Sequence, residues 1–155
     1  QRGKQINYKP FTTDGNTSVV MWDYKPILDS KGNETGLGTW MVECLKHKAT
    51  IDDVKNLILG YYNDKIDEKI LSGMKVWLST ENQFNYKAAY DLAFQTNGAN
   101  LPVIFKFGET NEPEYYRFET MEDLSDFYMS SMKYIQDTLG EGWILKDNIN
   151  WEDYQ

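Results

Sequence analysis

The chain has 155 residues, of which 41% are hydrophobic, 15% aromatic and 26% charged, and its formal net charge is −8 at pH 7. That length suits about one domain of the usual ~100–200 residues, and so many aromatic side chains argue against a disordered chain. A single Cys (Cys44) and a single His (His47) exclude an intrachain disulfide and a four-ligand zinc site within one chain.

The charge is unevenly spread. Residues 1–50 carry 7 basic and 5 acidic groups, residues 51–100 carry 5 and 7, and residues 101–155 carry 4 and 12. An acidic surface repels phosphate backbones and anionic lipid, so neither nucleic acid nor membrane is an expected partner. The basic stretch Arg2, Lys4 and Lys9 is too short to reverse that. No apolar run approaches the ~20 residues that cross a bilayer. Gln1-Arg2-Gly3-Lys4 leads into polar sequence rather than a signal h-region. The first residue is not Met, so the chain reads as a processed or excised form.

Residues 1–16 read as an irregular arm or connector, with Pro10 and Asp14-Gly15 as turn signals. Residues 17–155 read as a single α+β domain. Within it, residues 17–48 are predicted as a long hairpin: TSVVMWDYKPILD is rich in β-branched and aromatic types, Ser30–Asn33 carries turn chemistry, and Trp40, Val42 and Cys44 alternate onto one face. Pro26 suits an edge or a bulge.

Thr50-Ile51-Asp52-Asp53 is a capping box with Asp in place of Glu. The helix it opens carries Ile51, Val54, Ile58 and Tyr61 on one stripe. Ile66 and Ile70 extend the pattern, Gly60 and Asn63-Asp64 are places to bend or split it, and Gly73 fits its C′ position. A short strand is predicted over 74–78. Thr80-Glu81-Asn82-Gln83 is a second capping box, opening a helix expected to bury Phe84, Ala88 and Leu92, with Phe94 or Gln95, and to end at Asn97-Gly98. Residues 101–107 and 114–119 form a second hairpin around an acidic loop, Gly108–Pro113. Thr120–Asp123 is a third capping box. The last helix carries Leu124, Phe127, Tyr128, Met132, Ile135 and Leu139 and is predicted to stop at Gly140. The order is ββ-α-β-α-ββ-α. Hairpins alternating with single helices imply an α+β fold: a mostly antiparallel sheet from two hairpins plus a short strand, with about three helices packed on it.

Chemistry is sparse along this frame. Cys44 and His47 are three apart, which puts them on opposite faces of a strand, so they read as a buried Cys and a turn His rather than a nucleophile and base. Glu109, Glu112, Glu114 and Glu119 could draw a hard cation, but they match no calcium-loop spacing and read as solvated hairpin charges. Asp64, Asp67 and Glu68 could pair for glycoside hydrolysis, but beside Lys65 and Lys69 they read as a solvated helix face. There is no GxGxxG and no GxxxxGK[ST]. Gly36-Leu37-Gly38 reads as a turn, and no cofactor or metal is expected.

The aromatic residues are the stronger lead. Such rings stack on sugars and are enriched at interfaces. Trp22, Tyr24, Trp40 and Trp151 are therefore candidates for partner or glycan contact. Asn82 and Asn85 join them, because the capping box explains Glu81 and Gln83 but not these two amides.

The pieces EKILSG, VWLSTENQFNYKAAYDLA, LPVIFKFGE, YYRFETMEDLSDFY and GWILKDNINWEDY follow one another between Ile66 and Tyr154. In that order they resemble a domain of unknown function found in bacteriophage and prophage structural proteins, often near the C-terminal end of tail-fibre-like chains, in the style of phages of gut Bacteroides-type bacteria. The resemblance implies a non-enzymatic, tail-associated protein whose partners are other virion subunits or copies of itself. It would be located in the virion, or in the bacterial cytoplasm when expressed from a prophage. A host-surface glycan-binding module is the alternative expectation, and a glycan-cleaving enzyme is a third.

Overall fold

The computed structural model describes residues 8–155, without the side chain of Ile70. Arg2 and Lys4 lie outside the described residues. The fold is α+β, with three α-helices and only antiparallel strand pairs among the described residues, in the predicted order. The strands are β1 (Phe11–Thr13), β2 (Ser18–Leu28), β3 (Glu34–Leu45), β4 (Ile70–Leu71), β5 (Met74–Lys75), β6 (Val103–Glu109) and β7 (Glu112–Phe118). The helices are α1 (Ile51–Lys65), α2 (Thr80–Gln95) and α3 (Met121–Asn148). The strands form three sheets, β1-β2-β3, β4-β5 and β6-β7, rather than one.

Where one domain is expected over 17–155, contacts divide the chain into two compact units. Among the described residues, the first holds 8–60 and 143–155, the second 61–142. The arm expected to be irregular contributes a strand: Phe11–Thr13 pairs with Ser18–Val20.

In the first unit, β2 buries Ser18, Val20 and Trp22 in strict alternation. Trp22 pairs with Met41 and Lys25 with Thr39, so Asp23 and Tyr24 together oppose Trp40. This is a β-bulge, with Asp23 at φ 58°. One inserted residue reverses the in–out alternation beyond it. Tyr24 thereby leaves the face of Trp22 and joins that of Trp40, where their rings stack 6.3 Å apart. The Tyr24 ring lies over Gly38, where an added Cβ would sit 2.3 Å from it. Gly38 is thus a buried strand residue, while Gly36 sits at positive φ. Ser18 ties the sheet to the approach of α1: its hydroxyl donates to the His47 carbonyl and accepts from the Ala49 N–H, both at 2.8 Å.

α1 starts on the predicted box. The Thr50 N–H donates to Asp53 Oδ2 at 2.9 Å, and the Asp53 N–H donates to Thr50 Oγ1 at 3.2 Å. Val54 and Ile58 are fully buried. The helix ends at Lys65, earlier than its apolar pattern suggests, and a 3-10 turn follows over Ile66–Glu68. Gly73 is not a helix cap. Ser72 and Gly73 both have positive φ and make the two-residue turn of the β4–β5 hairpin, the geometry in which glycine is favoured. The Val76 N–H donates to the Lys69 carbonyl and carries that ladder one bond further.

The core of the second unit is Met74, Val76, Leu78, Tyr86, Ala93, Phe107, Phe118, Leu124, Phe127 and Ile135. Tyr86 is central: its ring meets Phe105 at 4.8 Å and Phe127 at 5.1 Å, both edge-on, and its hydroxyl donates to the Trp77 carbonyl at 2.9 Å. Burial, with a smaller contribution from the Asp67 charge, pushes this phenol up to about 12.

The cap of α2 is Ser79, one residue before the predicted Thr80. Ser79 Oγ accepts from the Asn82 N–H, and the Gln83 side chain donates back to the Leu78 carbonyl. The buried face of α2 also differs from expectation. Tyr86 and Ala93 are buried, while Phe84 is 71% exposed and Phe94 70%. α3 runs through Gly140 to Asn148, which takes Trp143 and Ile144 into the helix. Gly142 is there because Tyr62 lies against it: an added Cβ would meet that ring at 2.7 Å.

Candidate functional site

The fold separates the aromatic candidates. Trp22 is 3% and Trp40 4% exposed, so the contact surface expected on them is not presented; both are core. Because Trp22 pairs with Met41, the neighbour of Trp40, the two lie on opposite faces of the sheet. Tyr24 is half-buried between Trp40 and Tyr8, 5.1 Å from the latter. Trp151 is half-buried, with the Lys55 ammonium 5.3 Å from its ring centroid. Asn82 and Asn85 sit near the start of α2, Asn82 half-buried and Asn85 exposed.

The other candidates also find their places. Cys44 is exposed, not buried, because the alternation of β3 fades toward its end. His47 Nε2 lies 3.3 Å from Asp53 Oδ2, so the imidazole is bound to the start of α1 rather than to the thiol. Glu109 pairs with Glu112 across a two-residue turn, and Glu119 is ion-paired to Arg117. Asp67 is structural: its carboxylate accepts the Leu78 N–H at 2.6 Å. Among the described residues, no group of three or more His, Cys, Asp or Glu could hold a metal ion, and no helix is long and apolar enough to cross a membrane.

What the sequence reading missed is a groove of about 270 Å³ between α2 and α3. It is lined by Tyr90, Ala93 and Phe94 on α2 and by Met121, Glu122, Leu124 and Ser125 on α3. Ala93 and Leu124 are buried and form its base. Tyr90 stacks on Tyr128 at 4.6 Å and 13°, and Phe94 stacks on Tyr90 at 6.4 Å and 26°. The three rings therefore form a ladder along one wall, with Phe94 at its open end.

The local causes are clear. Ala89 and Ala93 are small enough for α3 to approach, and Tyr86, Ala89, Tyr90 and Ala93 fall at the i, i+3, i+4, i+7 spacing of one helix face. Thr120 Oγ1 accepts the Asp123 N–H at 3.1 Å and starts α3 beside that face. The signal was present as this second apolar stripe on α2.

In comparisons with known proteins, no protein family, no curated protein and no solved structure matches this chain.

Proposed function

We propose that the chain is a non-enzymatic structural protein of a phage or prophage, tail-associated, that works by assembling with other virion subunits or with copies of itself. The resemblance over residues 66–154 supports the reading. The observation that carries it is the apolar surface of the second unit. Phe84, Leu92, Phe94, Ile104, Tyr115 and Met129 are all exposed there, and Phe84 and Leu92 share one face of α2. Burying a side chain of this size yields ~1.5–3 kcal/mol. Subunit contact recovers that energy, and apolar patches on a protein surface commonly mark such contacts.

Light scattering over a concentration series, joined to detection of the protein in purified virions, tests the reading. A closed cyclic oligomer, or incorporation into particles, is the expected result. A chain that stays monomeric at high concentration and is missing from the particles refutes it.

A further inference from the structure

The groove between α2 and α3 has a chemistry that selects its occupant. We propose, building on the assembly reading, that it receives a basic amphipathic helix of a partner protein. Apolar side chains of that helix would seat against the Phe94 ring, Tyr90 and Met121, above the buried Ala93 and Leu124, and its Lys or Arg side chains would reach Glu122 and Asp126.

The size comes first. At about 270 Å³ the groove falls below the ~300–1,000 Å³ of pockets that enclose whole small molecules. It suits one or two side chains anchored from a larger partner. Preorganisation follows: the Tyr128–Tyr90–Phe94 ladder holds the wall in place through ring stacking, so little ordering remains for the moment of binding. Helix-in-groove docking uses such a site, with anchors spaced by turns of the partner helix.

Charge decides the sign of the partner. Glu122 lines the groove, and Asp126 follows it by one turn on the same side of α3. Both are exposed, and among the described residues neither has an ion-pair partner. The cations of the flanking segments are already committed: Lys87 to Asp91, Arg117 to Glu119 and Lys133 to Asp137. The helix dipole accounts for an acid in the first turn of α3, as at Glu122. It does not account for Asp126, which adds a like charge one turn on. A bound Lys or Arg relieves that repulsion.

The test uses the full chain and two fluorescein-labelled amphipathic peptides, one built from Leu and Lys and one from Leu and Glu, read by anisotropy. The Leu/Lys peptide is expected to bind and the Leu/Glu peptide not to. Phe94→Ala should weaken binding about tenfold, the loss of one well-seated anchor. Glu122→Gln with Asp126→Asn should weaken it about fivefold at low salt, with little difference left at high salt. Leu28→Ala, which removes an exposed apolar side chain of β2 in the other unit, should leave binding unchanged. Both Phe94 and Leu28 are exposed, so the variants should keep the fold, and circular dichroism checks this. No binding of either peptide, equal binding of both, or wild-type affinity in the Phe94 and double variants overturns the proposal. Oligomerisation or virion incorporation that persists alongside such a result overturns the groove assignment alone and leaves the assembly reading standing.

Discussion

At the scale of single residues, polar side chains in this chain mostly serve the backbone. Asp53 shows it. Its carboxylate is held below the ordinary value of 3.8, first by the Thr50 backbone N–H, then by the Thr50 hydroxyl and His47. A carboxylate with a depressed folded pKa stabilises the folded state above its unfolded value. That contribution is lost as pH falls through the folded value. The expected outcome is an NMR titration of Asp53 with a midpoint below the ordinary carboxylate range, and an Asp53→Asn variant whose α1 amide protection no longer changes across that acid window. Asp67 also serves the backbone, by accepting the Leu78 N–H. Such roles were only half legible in the sequence. Thr50 and Asp53 are neighbours with known capping chemistry, whereas the bond from Leu78 to Asp67 crosses eleven positions.

At the scale of elements, helix starts were legible to within a residue, because capping is local. α2 shows how small the ambiguity is and how to resolve it. Ser79→Ala should cost about 1 kcal/mol, the usual loss for a removed cap, while Thr80→Ala should stay within about 0.5 kcal/mol. Urea unfolding of the two variants separates them; equal losses would move the cap to Thr80. The faces of elements were harder to read. α2 carries two apolar stripes, one through Phe84, Ala88 and Leu92 and one through Tyr86, Ala89, Tyr90 and Ala93. Periodicity cannot choose between them, and packing against Phe105 and Phe127 does. Since the groove needs the phase of both α2 and α3, it was invisible for the same reason. The Trp22 and Trp40 assignment failed on burial: the register that pairs Trp22 with Met41 sets the two rings on opposite faces of one sheet, and both rings are covered there. Gly140 read as a stop, yet α3 passes through it, since glycine in a helix costs only ~1 kcal/mol and packing can outweigh that.

At the scale of the whole molecule, the fold class was legible because hairpins and single helices alternate along the chain. The division into units was not, since the first unit is discontinuous in sequence and no linker marks its edges. Its closure depends on Tyr154, a buried residue of the 3-10 turn Trp151–Tyr154, whose hydroxyl donates to the Met21 carbonyl. The Tyr8 hydroxyl donates to the same carbonyl at 3.3 Å. Removing residues 151–155 forfeits the burial of one large ring, ~1.5–3 kcal/mol. Amide hydrogen exchange in β2 and β3 should then rise about 10- to 100-fold. Tyr154→Phe, which keeps the ring and loses only the hydroxyl, should raise it less than tenfold. Unchanged exchange on truncation would remove the turn from the stability of this unit.

The bond from Tyr154 to Met21 spans 133 positions, and that separation has a meaning in time. At ~5–20 residues per second, a ribosome makes Tyr154 roughly 7–27 s after Met21. The stretch 61–142 is uninterrupted and fully synthesised while the unit begun before it still waits for its closing piece. Throughout that interval the nascent β2–β3 sheet lacks the ring that will cover it, and it is open to capture by chaperones or by other nascent chains. Translation that stops before Trp151 leaves the earlier-begun of the two units without its closing turn.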